Sequence, residues 1–216
     1  MKERPILFSG PMVRAILEGR KTQTRRVVKS VPEGTERMRM NHAFPGLGVC
    51  EIPELGVCRD IECPHGQPGD RLWVREDFCF LSLPYRGFNT PLIQFAADGE
   101  RRKATLTERE VELFCQRKHP HRKTNARFMY RSCSRLTLEI TNIRVERLAD
   151  ISADDALAEG IQLAGRDTED VCAAYRTLWN SIHGQNSWDL NPYVWVITFE
   201  EIPQAPAQAK SRKVKP

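Results

Sequence analysis

The fold is decided by eight residues near the N-terminus, Gly19-Arg20-Lys21-Thr22-Gln23-Thr24-Arg25-Arg26. Upstream of them, residues 5–8 are predicted to form a short strand. Ser9-Gly10-Pro11 is predicted to begin a helix, because proline is tolerated in the first helical turn. Gly19 is a helix stop, and the threonines and valines of residues 21–28 predict a second strand. The chain therefore opens as strand, helix, turn and strand.

The same eight residues carry four cations, more than can be paired locally. Ideal strand pleating puts Lys21 and Thr24 on opposite faces, so they share a site only if Lys21 still belongs to the turn. On chemistry alone, the stretch is also consistent with a solvated basic edge strand.

Downstream elements alternate with long irregular stretches. Residues 30–66, rich in Pro, Gly and Cys, and the charged residues 98–128 are predicted to be insertions. Between them, a turn at residues 67–70 leads into a strand over residues 71–80. Residues 136–145 predict a long strand, in which the opposite parity of two isoleucines indicates a bulge.

The C-terminal part is predicted to contain two helices and a final strand. A capping box beginning at Ser152 opens a short helix that ends at Glu159-Gly160. A longer helix starts at Asp167 or Thr168 and buries one apolar stripe, which consists of Val171, Tyr175, Leu178 and Ile182. The alternating side-chain pattern of residues 194–199 predicts a final strand. Residues 204–216 have the composition of a disordered basic tail.

Composition narrows the class of protein. The net charge is +5 over 216 residues, but four positive charges lie in residues 210–215, so the rest is nearly neutral and global basicity is weak evidence for nucleic-acid binding. We find neither a long apolar run nor a secretory signal, and the seven cysteines suit reduced thiols. These features predict a cytoplasmic protein with no membrane partner.

The motif of the opening stretch resembles the G-x-K-x-x-[ET]-x-R signature of the ASCH family, with Gly19, Lys21, Thr24 and Arg26 in its positions. The resemblance extends to residues 68–74, 136–159 and 194–199, and is strongest to the longer phage and prophage members. It implies an α+β fold, with a PUA-like β-barrel, flanking helices and long loop insertions forming one domain over residues 1–203.

The threonine form of the signature resembles bacterial amidohydrolases that remove the acyl group from N4-acetylcytidine, whose lysine, threonine and glutamate fall on Lys21, Thr24 and Glu159. Thr24 would supply the attacking hydroxyl, a desolvated Lys21 would take its proton, and Glu159 would protonate the leaving amine. Individually, Thr24 can equally be an ordinary strand residue and Glu159 a solvated one near a helix end. If they are catalytic, Lys21→Ala and Glu159→Gln are predicted to abolish deacylation with little change in melting temperature.

Seven further residues are candidates for substrate binding. Two of them, Arg75 and Glu76, have an alternative role in cross-strand ion pairs. Three others lie in residues 129–135, where the longer relatives carry a similar pattern. The full set is Gly19, Arg26, Arg75, Glu76, Arg131, Ser134 and Arg135.

One loop has the residue types of a structural zinc site, namely Cys50, Cys58, Cys63 and His65, although its spacing is not that of a standard knuckle. Reduced, partly buried thiols are the alternative, and the proposed chemistry requires no cofactor. The expected partner is a nucleoside or RNA, because a non-catalytic module that binds RNA or a modified base is the main rival to the hydrolase. A ribonuclease is a weaker third possibility.

Overall fold

The computed structural model describes residues 1–29, 31–41, 43–116, 123–162 and 169–203, without the side chains of residues 55, 57, 123, 169 and 170. These residues form a mixed α+β structure. The strands are β1 (Glu3–Leu7), β2 (Gln23–Val27), β3 (Arg37–Met40), β4 (Leu47–Ile52), β5 (Val57–Glu62), β6 (Arg71–Arg75), β7 (Phe78–Phe80), β8 (Leu92–Phe95), β9 (Arg101–Lys103), β10 (Lys123–Thr124), β11 (Thr137–Arg147) and β12 (Tyr193–Ile202). The helices are α1 (Gly10–Leu17), α2 (Glu108–Cys115), α3 (Ala153–Ala158) and α4 (Glu169–His183).

The main sheet has five strands in the order β1-β6-β11-β12-β2. β1 and β6 run parallel, and every other pair in this sheet is antiparallel. β1 and β2 are therefore the two edges, and in the described part of the chain no ladder joins them into a closed barrel. A side chain links the edges instead, because Arg26 Nη2 donates to the Leu7 carbonyl oxygen at 2.9 Å.

The two predicted insertions form sheets of their own. Residues 30–66, expected to be an ordered loop, contain the antiparallel sheet β3-β4-β5. Residues 98–128 contribute β9, α2 and β10, whose strands join β7 and β8 in the sheet β10-β7-β8-β9. The prediction of one strand over residues 71–80 is therefore wrong. The segment forms two strands, β6 in the main sheet and β7 in this smaller sheet.

The main sheet and the sheet β10-β7-β8-β9 pack on different apolar clusters, and the sheet β3-β4-β5 shares the cluster of the main sheet. Leu72 and Val74 of β6 face the main core together with Ile6 and Leu138, whereas Trp73 faces the cluster of the smaller sheet, as strand pleating requires. A third cluster lies between β12 and the helices α3 and α4, where Ala156, Val171, Tyr175 and Trp179 are buried.

Several local predictions are confirmed. The pairing of β11 with β12 shifts register between Ile140 and Asn142, which is the predicted bulge. Ser152 Oγ accepts a hydrogen bond from the Asp155 amide and caps α3, and Glu159 is the C-cap residue of that helix. The predicted N-caps of α4, Asp167 and Thr168, and the predicted tail over residues 204–216 lie outside the described residues. None of the described helices is long and apolar enough to cross a bilayer.

Candidate functional site

A pocket of about 460 Å³ lies between the two edges of the main sheet. β1 supplies its residues 5–7 on one side, and β2 supplies Thr24, Arg25 and Arg26 on the other. Glu159 after α3, His65 and one face of α4 complete the walls. The volume is in the range of small-molecule sites, roughly 300–1,000 Å³.

Lys21 is held in the turn between α1 and β2. Its amide donates to the Ala15 carbonyl oxygen at 2.9 Å, and its backbone forms an isolated antiparallel bridge with Glu159. Since β2 begins at Gln23, Lys21 stands outside the pleated strand, which is the condition under which it can share a site with Thr24. The glycine at position 19 permits this turn with a φ of +71°.

The Lys21 ammonium is fully buried and uses all three of its protons. Nζ lies 2.6 Å from Glu159 Oε2, 2.8 Å from the Glu159 carbonyl oxygen and 2.8 Å from the Gln23 carbonyl oxygen. Burial lowers the pKa of Lys21 below its usual value, although the Glu159 carboxylate opposes the shift. The neighbouring Arg26 and Arg25 lower this pKa further, as like charges do.

The Glu159 carboxylate has a separate set of partners on each oxygen. Oε2 accepts from Lys21, while Oε1 lies 3.4 Å from the Tyr175 hydroxyl, which donates to it, and 3.5 Å from Arg25 Nη1. Burial and the charge on Glu159 raise the pKa of Tyr175, so this phenol stays a hydrogen-bond donor. Two cations and a hydroxyl therefore hold one buried carboxylate in place.

Arg25 connects the pocket to a wider polar network. Its side chain is fully buried, Nη1 donates to Gln23 Oε1 at 2.7 Å, and Nη2 donates to Asp155 Oδ2 at 2.9 Å and to Glu146 Oε1. Asp155 Oδ1 also accepts a hydrogen bond from the side-chain nitrogen of Gln23, Nε2, at 3.1 Å. Arg25 was not predicted from the sequence, because only the arginine after it belongs to the motif.

Thr24 lies on β2 with its residue buried and forms part of the pocket wall. Within the described ranges, its hydroxyl makes no hydrogen bond. The structure therefore pairs Lys21 with Glu159, and it places Glu159 and Thr24 in the wall of the same pocket.

An aromatic series on α4 forms another wall of the pocket. Tyr175, Trp179 and His183 are spaced four residues apart, and the rings of Trp179 and His183 stack with centroids 4.1 Å apart. The buried Trp179 Nε1 has no hydrogen-bond acceptor among the described residues. The i, i+4 spacing of aromatic residues was visible in the sequence but was interpreted only as a packing stripe through Tyr175.

The predicted zinc ligands are not grouped in the structure. Register places Cys50 opposite Arg59 and Cys58 opposite Glu51, so the two thiols point to opposite faces of the β4–β5 hairpin. Cys50 and Cys63 belong to the main core and Cys58 is exposed. Where the chain is described, no three His, Cys, Asp or Glu side chains are grouped to hold a metal ion.

His65 belongs to the pocket rather than to a cysteine cluster. Burial, followed by the charges of Arg26 and Arg4, lowers the pKa of His65 to about 4. A neutral imidazole therefore faces the pocket at neutral pH.

Among the predicted substrate-binding residues, only Arg26 lines this pocket. Glu76 and Arg135 instead form a buried bidentate ion pair with distances of 2.8 and 2.9 Å, extended by Asp98 and Glu100. Both residues therefore lie outside the first pocket and are occupied by each other. The sequence could not distinguish a buried ion pair from a ligand site, because both need charged residues on adjacent strands.

The remaining candidates lie elsewhere in the structure. Arg75 stacks on Trp73 at 4.6 Å and donates to the Arg127 carbonyl oxygen. Arg131 and Ser134 line a second pocket, at the start of β1 and β6. Gly19 lines neither pocket and serves the turn. The seven candidates therefore do not form one binding site.

The chemistry of the first pocket combines an unbonded hydroxyl, a lysine–glutamate pair, a second cation and aromatic surface. No family model, curated protein or solved structure matches this chain.

Proposed function

We propose that this protein is an amidohydrolase of the ASCH type, with a PUA-like fold, that removes the acyl group from N4-acylated cytidine-type nucleosides. The observation that carries the proposal is the 2.6 Å contact between Lys21 Nζ and Glu159 Oε2, with Glu159 and Thr24 both in the wall of one pocket. Amide hydrolysis needs a nucleophile, a base and an acid, and these three side chains can supply them.

The Lys21–Glu159 contact provides a route by which the lysine can become a base. An ammonium cannot accept a proton, but transfer of one proton to Glu159 Oε2 produces a neutral amine and a carboxylic acid. Burial favours loss of the Lys21 proton, because it lowers the pKa of this lysine. The lone pair of the amine first points at Glu159 Oε2, because the other two protons lie on the carbonyl oxygens of Gln23 and Glu159. Rotation about the Cε–Nζ bond, which exchanges these hydrogen bonds, turns the lone pair towards Thr24.

Proton transfers then balance over the first half of the reaction. Thr24 Oγ1 attacks the acyl carbonyl carbon as Lys21 takes the hydroxyl proton. Glu159 gives its proton to the N4 nitrogen, the carbon–nitrogen bond breaks and the free cytidine amine leaves. The acyl group now forms an ester with Thr24, and the lysine–glutamate pair is again ionic.

Water completes the second half. The Glu159 carboxylate takes a proton from water as the oxygen attacks the ester carbonyl, and Lys21 returns a proton to the departing Thr24 oxygen. The carboxylic acid is then released, and proton transfer from Glu159 to Lys21 restores the starting ion pair. Each residue ends in the state in which it began.

The pocket walls also suit a substituted cytosine. Trp179 Nε1 and Arg25 Nε are buried donors without an acceptor in the described parts of the chain, and an acylated cytosine carries oxygen and nitrogen acceptors. The ring of Trp179 and the guanidinium of Arg26 offer flat surfaces of the kind on which bases stack. His65, held neutral, adds no charge near an uncharged base.

One observation favours a second candidate, a non-catalytic module that binds a modified base. Lys21 has three satisfied protons, as expected of a lysine that only braces a turn. In that case, the pocket would bind the same ligands and leave them unchanged.

Incubation with N4-acetylcytidine, with cytidine release followed by chromatography, separates the two. We expect cytidine and acetate in equal amounts, no release by Thr24→Ala or Thr24→Val, and partial release by Thr24→Ser, which keeps a hydroxyl. Binding of N4-acetylcytidine without release would support the module instead, and full activity in Thr24→Val would reject the proposed nucleophile.

A further inference from the structure

A second pocket, of about 440 Å³, opens on the outer face of the main sheet where β1 and β6 start. Its charged lining consists of three arginines, at positions 71, 102 and 131, and one glutamate, Glu3. The net formal charge of the residues that line this pocket is therefore positive. The proposed hydrolysis uses none of these residues.

Arg71 is the unusual member of this group. In the part of the chain that the structure describes, its guanidinium has no hydrogen-bond or ion-pair partner, and its Nε atom is buried. Arg131, in contrast, pairs with Glu3 through two contacts of 3.0 and 3.2 Å and also bonds Thr137. The nearby Glu3 carboxylate also feels the charge of Arg71. Because Arg131 already takes both oxygens of that carboxylate, Arg71 keeps its donors for an anion from outside the chain.

β1 connects the two pockets directly. Residues 3, 5 and 7 share one face of this strand because side chains alternate, and all three are exposed. Glu3 lines the arginine pocket, whereas Pro5 and Leu7 line the pocket of Thr24. At about 3.3 Å per residue, the two ends of this exposed face are roughly 13 Å apart.

We propose that the arginine pocket, with Arg71 at its centre, binds a phosphate group of a single-stranded oligonucleotide whose acylated cytidine occupies the first pocket. The proposal rests on the proposed function, and it extends the substrate from a free nucleoside to a base within a nucleic-acid chain. Arginine suits this ligand because its planar donors match the oxygens of a phosphate. A free nucleoside carries no phosphate and would leave this pocket empty.

Binding of a labelled ten-nucleotide RNA with one central N4-acetylcytidine tests the proposal. We expect Arg71→Gln to weaken binding about tenfold and to reduce the slope of log affinity against log salt by about one. Arg71→Lys, which keeps the charge, should retain most of the affinity. Arg101→Gln is the matched control, since Arg101 is an exposed cation on β9 outside this pocket, and it should change little. A melting curve for each variant checks that it folds.

The same variants distinguish this proposal from the proposed function. If the RNA binds with Arg71 dependence while N4-acetylcytidine is not hydrolysed, the phosphate site stands and the hydrolase proposal fails. If the free nucleoside is hydrolysed but RNA affinity is the same in Arg71→Gln and Arg101→Gln, the phosphate site is rejected. Absence of RNA binding by the unaltered protein rejects it as well. A DNA version of the oligonucleotide, and competition by inorganic phosphate, show which source of phosphate is preferred.

Discussion

One lysine holds both the side chain and the main chain of one glutamate: Lys21 Nζ contacts Glu159 Oε2 at 2.6 Å and the Glu159 carbonyl oxygen at 2.8 Å. The two residues are 138 positions apart. This contact fastens the turn after α1 to the end of α3, and it also places an acid–base pair beside the pocket. Stability and the proposed chemistry therefore depend on the same atoms.

The burial of this pair changes the expected behaviour of its variants. Breaking a buried ion pair leaves one charge uncompensated and costs about 3–5 kcal/mol. We therefore expect Lys21→Met alone to lower the unfolding free energy by that amount, contrary to the sequence-based expectation of an unchanged melting temperature. Denaturant unfolding and cytidine release should be measured together.

The double variant Lys21→Met/Glu159→Leu is the control for this prediction. Two apolar residues of similar size replace the ion pair, so much of the stability should return while deacylation stays absent. Recovery of activity in the double variant would show that the pair is structural only.

Arg25 is expected to act by positioning Glu159. Arg25→Gln removes the cation nearest Glu159 Oε1 and should lower kcat by up to about a hundredfold with a smaller change in KM. Arg25→Lys should restore part of kcat, and the pH profile of kcat should shift between the two variants because the charge beside Glu159 differs. If kcat falls only together with the melting temperature, and the pH profile does not shift, the role of Arg25 is purely structural.

His65 should make the protein less stable in mild acid. Its pKa is lowered from 6.5 to about 4 in the folded chain, so between these values the unfolded chain binds more protons. The unfolding free energy therefore rises with pH across this window and falls when the pH drops from 6.5 towards 4. His65→Gln should flatten this dependence, and NMR titration of the His65 ring should give a value near 4. A midpoint near 6.5 would contradict the burial of this ring.

Gly160 should tolerate a side chain less well than Gly19, although both have positive φ angles, +90° and +71°. A Cβ at position 160 would lie 2.9 Å from Ala15 Cβ and 3.1 Å from Lys21 Cβ, whereas a Cβ at position 19 meets nothing within 4 Å. Gly19→Ala should cost about 1–2 kcal/mol from backbone strain, and Gly160→Ala about 1–3 kcal/mol more from overpacking. Because the clash lies against Lys21, Gly160→Ala should also reduce activity. Equal unfolding free energies for the two variants would contradict this packing.

Local sequence signals predicted the elements that depend on nearest neighbours. Proline in the first turn of α1, the glycine at position 19 and the cap at Ser152 each act within a few residues, and the structure has the expected elements there. The sheet β3-β4-β5 was missed because its pairing depends on partners further along the chain, and weakly periodic segments do not show them.

For the candidate site, the sequence by itself determined which side chains were available: a turn lysine, a strand threonine and a glutamate at a helix end. Only the tertiary structure decided which charges meet. It paired Lys21 with Glu159, enclosed Arg25 beside them, joined Glu76 to Arg135 in an ion pair elsewhere and left Arg71 Nε without a hydrogen bond among the described residues. The physical reason is that an ion pair depends on distances of a few ångströms between residues far apart in the chain, and these distances exist only once the sheets and helices have packed.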